Sequence, residues 1–193
     1  MIKKVVVLGP ESTGKSTLCA ELAEHYQTNW VKEYAREYLL ENGTNYTFDN
    51  LLDIAKGQLK LEEAGIAEVE RKIAAVKKKP DGIIPASTEN KQLIFIDTNM
   101  YVLKVWCEFV FGKCHNWILN QVVERKYDLY LLCDIDLPWV KDELREYPDL
   151  VTRHQLYHHY KDIMVNQSVA WANIRGNDGE RLQKAIDAID SIS

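Results

Sequence analysis

The stretch GPESTGKST, Gly9 to Thr17, constrains this chain more than any other. It fits the Walker A spacing G-x-x-x-x-G-K-[ST]. It follows the apolar run Ile2–Leu8 and opens a segment with Leu18, Leu22 and Tyr26 at fourfold spacing. Strand, glycine loop and amphipathic helix are the context in which that spacing holds a phosphate. Gly9 and Gly14 permit backbone angles that turn successive N–H groups inward on an anion. The helix beginning near Lys15 offers unpaired N–H groups and the positive end of its dipole. Lys15 is placed to reach β- and γ-phosphates, and the Ser16 hydroxyl to bind Mg²⁺. The nucleotide-binding set is therefore Gly9, Glu11, Ser12, Thr13, Gly14, Lys15, Ser16 and Thr17. The competing reading is a plain glycine turn between strand and helix.

Beyond the loop, short apolar runs alternate with helical periodicity. Strands are expected at Trp30–Val31, Leu93–Ile96, Leu129–Cys133 and Val169–Ile174. Helices are expected at Lys15–Gln27, Glu33–Glu41, Phe48 to about Lys78, Met100–Phe111 and His115–Lys126. Two more run from Thr152, as the cap, to about Met164, and over Glu180–Ile189 behind an Asp178 cap. Asp49 is the expected cap of the long third helix and Gly65 a candidate break in it. Pro80–Gln92 reads as a loop. The alternation predicts one α/β domain over residues 1–193, with a five-stranded parallel sheet and helices on both faces.

Composition narrows the partners. The net charge of −5, with no basic tail, speaks against nucleic acid. No run approaches the length of a membrane span, and VVVL is too short for the interior of a signal peptide. Four cysteines without a CxxC pair read as buried free thiols in a reducing compartment, so a cytoplasmic location is expected. The oligomeric state stays open.

The destination of the phosphate depends on what surrounds the loop. Asp97 ends the run LIFI and is placed to serve a metal or an acceptor. It competes with a reading in which it caps the next helix through Thr98 and Asn99. A guanine-type NKxD segment is not in place, and a ring-forming ATPase normally has further helical domains. A small-molecule kinase needs a base, an acceptor pocket and a cationic lid. The lid candidate is Asp136–Arg153, where Pro138 and Pro148 bracket an expected short helix and Arg145 and Arg153 offer phosphate-pairing forks. The alternative is two surface arginines paired with Asp142, Glu146 or Asp149. On the acceptor side, KEYARE puts Glu33 directly after a strand as a candidate base, with Tyr34 to stack and Arg36 to bind acceptor or phosphate. Asn99, Tyr101 and Trp106 follow the next strand, although Trp106 equally suits core packing. His154, His158 and His159 share a helix face, but with no third ligand at motif spacing they suit a polar surface better than a metal.

In combination, GPESTGKSTL, KEYARE, IAKGQ (Ile54–Gln58), FIDT with Trp106 behind it, and PWVKDELR resemble the ribosylnicotinamide kinase domain of the NadR family, from residue 1 to the C-terminus. The resemblance implies a P-loop NTPase fold and a stand-alone kinase. It implies ATP and Mg²⁺ as donor and metal, and phosphorylation of nicotinamide riboside at its 5′-hydroxyl to nicotinamide mononucleotide in NAD salvage. It carries Lys15 and Ser16 over to phosphate and Mg²⁺, Asp97 to metal or acceptor, and Arg145 and Arg153 to the lid. Tyr34, Arg36 and Trp106 are then expected around the acceptor, whose flat pyridinium favours aromatic faces and carboxylates. Adenine is expected near Arg175–Gly179, with Asn177 in contact. The alternatives are a P-loop kinase for another nucleoside or small acceptor, and a regulatory nucleotide-binding module without an acceptor.

Overall fold

The computed structural model describes residues 2–77 and 92–192. The expected loop Pro80–Gln92 lies outside these residues except for its last position. Five strands form one sheet: β1 (Lys3–Leu8), β2 (Trp30–Val31), β3 (Leu93–Asp97), β4 (Leu129–Cys133) and β5 (Trp171–Ile174). All neighbours are parallel, in the order β2-β3-β1-β4-β5. Seven helices are described: α1 (Lys15–His25), α2 (Tyr34–Asn42), α3 (Phe48–Lys77), α4 (Met100–Phe111), α5 (Asn116–Glu124), α6 (Leu150–Asn166) and α7 (Asp178–Asp190). This is the single-domain P-loop NTPase fold with helices on both faces of the sheet.

The apolar runs explain the layering. Side chains alternate across a strand. Val6, Leu8, Ile94, Ile96, Tyr130 and Leu132 therefore join the core under α2, α3, α4 and α6. Val5, Val7, Phe95, Leu129 and Leu131 meet α1 and α7 on the opposite face. Each fully buried aliphatic side chain contributes about 1.5–3 kcal/mol. Because β1 has β3 on one side and β4 on the other, the chain leaves neighbouring strands in opposite directions, and a crevice opens beyond their carboxyl ends.

Several boundaries differ from expectation. The long helix α3 runs unbroken through Gly65. A Cβ there would lie 2.9 Å from Val31 Cγ2, so the glycine serves close packing on the sheet and not a kink. The start of α3 is capped by Thr47, whose hydroxyl accepts from Asn50 N at 3.4 Å, and not by Asp49, which lies inside the first turn. Asp149, not Thr152, caps α6: its carboxylate accepts from Thr152 N at 2.8 Å. Asn177 caps α7 in place of Asp178, in a reciprocal box with Glu180. Residues 138–149 contain no helix. Their two prolines hold an irregular strap.

Candidate active site

The phosphate loop bridges β1 and α1. Gly9 has φ 140° and Gly14 has φ 75°. A Cβ on Gly9 would meet the Cys133 carbonyl oxygen at 2.7 Å, so no other residue fits where the loop crosses β4. Thr13 is buried and its hydroxyl donates to Pro10 O at 2.7 Å. Lys15 Nζ donates to the same carbonyl at 2.9 Å and arches over the loop. Arg181 of α7 is buried below. It donates to Thr13 O at 3.0 Å, Asp134 O at 2.9 Å, Gly176 O at 3.0 Å and the Asp136 carboxylate. One guanidinium thus ties the phosphate loop to the ends of β4 and β5. No sequence motif pointed to it, because its donors reach carbonyls far apart in the chain.

Ser16 and Asp97 meet as expected. The Ser16 hydroxyl donates to Asp97 Oδ2 at 2.5 Å. Asp97 is fully buried, and its Oδ1 has no hydrogen-bond partner among the described residues. Burial, followed by the nearby Glu33 charge, pushes the Asp97 carboxyl up to about 6, while Lys15 and Ser16 pull the other way. An unpartnered, buried carboxylate oxygen beside a serine hydroxyl is a hard-oxygen donor set that fits Mg²⁺.

Glu33 is the N-cap residue of α2 and lines a cavity of about 240 Å³ that also borders the phosphate loop. Thr98 Oγ1 donates to it at 3.3 Å. Gln58, from the IAKGQ segment, is buried between the two acidic strand ends. Its carbonyl oxygen accepts from Tyr34 N at 2.8 Å, and its amide nitrogen donates to Lys32 O and Asp97 O, both at 3.3 Å. Gln58 therefore sets the spacing between the Glu33 and Asp97 backbones.

Trp106 lines the cavity, and its indole donates to the Tyr46 hydroxyl at 2.9 Å. The Tyr46 hydroxyl in turn donates to Glu146 at 2.8 Å. Tyr46, Phe109, Tyr147 and Tyr160 complete the aromatic wall. None of these four was singled out from the sequence. An aromatic residue alone in the polar stretch after Gly43 was the available signal for Tyr46.

Two expected acceptor residues point elsewhere. The Tyr34 ring packs on α3 over Gly57, where a Cβ would come within 2.0 Å of it, and so leaves the cavity wall. Tyr101 stacks edge-on against Tyr130 with centroids 5.7 Å apart, in the core layer. Arg36 does border the cavity, but its fork is paired with Asp142 at 3.0 and 3.2 Å.

Of the two arginines expected on a lid, Arg145 lines the cavity and donates to Val140 O at 2.5 Å. Arg153 does not line it. It is buried on α6, where Nη2 donates to Leu137 O at 3.2 Å and Nε has no partner among the described residues. Desolvation lowers its pKa from the ordinary value. Asn177 lies at the expected loop, with its side chain committed to the α7 cap.

A family model described as an AAA domain matches residues 4–181. The chain belongs to that family. It is also similar to the trifunctional NAD biosynthesis/regulator protein NadR of Escherichia coli K12, at 24% identity over 177 residues, 92% of this chain and 39% of that protein. The NadR of Salmonella typhimurium LT2 is 25% identical over 178 residues, with the same coverage of both chains. The chain spans about two-fifths of the length of these curated relatives. The crystal structure of NadR in complex with NR superposes with a TM-score of 0.74 at 20% identity, covering 99% of this chain and 49% of that one. Thymidylate kinase from Ehrlichia chaffeensis gives 0.58 at 16% identity, covering 97% and 98%. These likenesses agree with the fold built above from the strand order. Among the described residues, no helix is long and apolar enough to cross a membrane.

Proposed function

We propose that this chain is an ATP-dependent kinase that phosphorylates nicotinamide riboside at its 5′-hydroxyl, giving nicotinamide mononucleotide. One observation carries the reading: the phosphate loop shares a single cavity with a strand-end carboxylate, Glu33, an aromatic wall at Trp106 and Tyr46, and a lid arginine, Arg145. A hydrolytic switch has no use for the aromatic wall, which suits a flat acceptor. The likeness to NadR supports the particular acceptor.

The residues divide the work. Backbone N–H groups of residues 9–16 and the α1 dipole grip the β- and γ-phosphates, with Lys15 exchanging Pro10 O for a phosphate oxygen. Ser16 and Asp97 would hold Mg²⁺, which screens the charge on the phosphates. The acceptor's ring lies against Trp106 and Tyr46, where a flat cation meets aromatic faces. Its hydroxyl oxygen attacks the γ-phosphorus, the bond from that phosphorus to the bridging oxygen breaks, and ADP leaves. Glu33, on the cavity wall, receives the hydroxyl proton. Asp97 is fully buried and bonded to Ser16, which suits it to the metal side. Arg145 neutralises charge on the transferring group, and its planar fork suits phosphate oxygens. Adenine lies along Arg175–Gly179, read through the backbone because Asn177 is occupied as a cap.

An acceptor screen with ATP and Mg²⁺ tests this directly. ADP production that rises sharply with nicotinamide riboside is the expected result. A rise with another nucleoside instead would keep the kinase and overturn the acceptor. Slow hydrolysis indifferent to every acceptor would overturn both.

A further inference from the structure

Glu11 sits in a loop built to bind anions, where a carboxylate is costly unless it is paired. Its pairing comes from the lid. Oε1 accepts from Tyr147 N at 2.6 Å and from the Trp139 indole at 3.3 Å, and Oε2 accepts from Glu146 N at 3.0 Å. The next residue joins in: Ser12 Oγ accepts from Val140 N at 2.9 Å. Leu137 packs over Gly14, so that a Cβ there would lie 3.1 Å from its Cδ1. Three positions of the phosphate loop thus hold the strap 137–147 from below. On the opposite side Arg36 pairs with Asp142, and Tyr46 donates to Glu146. Glu11 is the charged member on the donor side, and N–H bonds to a carboxylate are about twice as strong as neutral ones.

We infer that Glu11 is a positioning residue that couples seating of the lid to the phosphate grip, so that the γ-phosphoryl group passes to the acceptor hydroxyl and not to water. This rests on the phosphotransfer reading above. The two outcomes differ only in the nucleophile. An acceptor oxygen gives a phosphomonoester and ADP, while a water oxygen gives inorganic phosphate and ADP. A lid held at Glu146 and Tyr147 closes the cavity where both residues line it. A lid released there admits water while the phosphate loop still holds ATP.

The test uses the full chain with ATP, Mg²⁺ and nicotinamide riboside, measuring ADP and phosphorylated product together in the wild type and in Glu11→Ala, Glu11→Gln and Trp139→Phe. The expected ADP-to-product ratio is near unity in the wild type. It should rise to about ten in Glu11→Ala, where hydrolysis would then outrun transfer about ninefold. The rise is smaller in Glu11→Gln, which keeps one acceptor oxygen without charge, and smallest in Trp139→Phe. A second readout is trypsin cleavage after Lys141 and Arg145 with a non-hydrolysable ATP analogue bound: slow in the wild type and fast in Glu11→Ala. A ratio that stays at unity in Glu11→Ala overturns the inference and leaves the kinase reading intact, as does cleavage that stays slow. If Glu11→Ala does not fold, the graded pair Glu11→Gln and Trp139→Phe decides by the same two readouts. A wild type that makes ADP but no product with any acceptor overturns both readings.

Discussion

The donor and acceptor halves of the site are built in opposite ways. The phosphate loop is nine consecutive residues whose shape follows from two glycines, a lysine and the start of a helix. The wall proposed to receive the acceptor is assembled from Glu33, Arg36, Tyr46, Trp106 and Tyr147, which lie at the start of α2, on α2, on the loop before α3, on α4 and on the strap 138–149. A contiguous site is specified by backbone conformation, which a short sequence encodes. A dispersed site is specified by which way side chains face once the helices have packed, which no short sequence encodes. The strap 138–149, the proposed lid, joins the two sides, with Glu11 and Ser12 bonded to it from the phosphate loop and Arg36 and Tyr46 from the opposite side.

Substitutions can separate the halves. The largest effect is expected for Lys15→Ala, which should cost transfer at least about 10³-fold through lost charge stabilisation, and should do so for every acceptor. Residual transfer within tenfold of wild type would break the assignment of the donor half. Glu33→Gln should lower kcat by about 10²–10⁴-fold, the usual worth of a positioned base, with little change in KM for ATP. If KM for ATP rose in parallel, Glu33 would belong to the donor half after all. Trp106→Ala should raise KM for the acceptor by about tenfold while leaving KM for ATP alone, since an aromatic face against a cation is worth about 1–2 kcal/mol. An equal loss on both substrates would mark Trp106 as core packing.

The smallest effect concerns stability and reverses the usual sign. Asp97 has its folded pKa raised from the carboxylate value to about 6. The folded state therefore holds this proton more tightly than the unfolded chain does. The stabilisation is complete below about pH 4 and is lost as pH rises through about 6, so at neutral pH the ionised group is a net cost. Asp97→Asn should raise the neutral-pH melting temperature of the ligand-free chain, by an amount equivalent to about 1–3 kcal/mol, and flatten its dependence between pH 4 and 7. Transfer should fall at the same time. A variant that melts lower than wild type at pH 7 would show that the carboxylate is well compensated.

Tyr34 and Tyr101 show where reading the chain alone runs out. Tyr34 follows Glu33 and should, by proximity, share its cavity. The first turn of α2 points it instead at Gly57, a contact that exists only because α3 crosses there without a side chain. Tyr101 lies five residues before Trp106 on α4, and the helical rotation between them sends one ring into the core and the other into the cavity. Arg153 and Asn177 were expected around the nucleotide, and their side chains are bonded to Leu137 O and to the start of α7.

The sequence by itself determined the phosphate grip, the order of strands and helices, and the meeting of Ser16 with Asp97. Those depend on local backbone conformation and on apolar runs that can be buried in only one kind of sheet. The tertiary structure alone decided that Tyr46 and Tyr147 join Trp106 on the cavity wall, that Gln58 spaces the ends of β2 and β3, and that Arg181 ties the phosphate loop to β4 and β5. It alone also decided that Glu11 turns to the lid. Each of these rests on a polar or aromatic side chain finding partners from 24 to 168 residues away, and such pairings exist only after the helices have docked on the sheet.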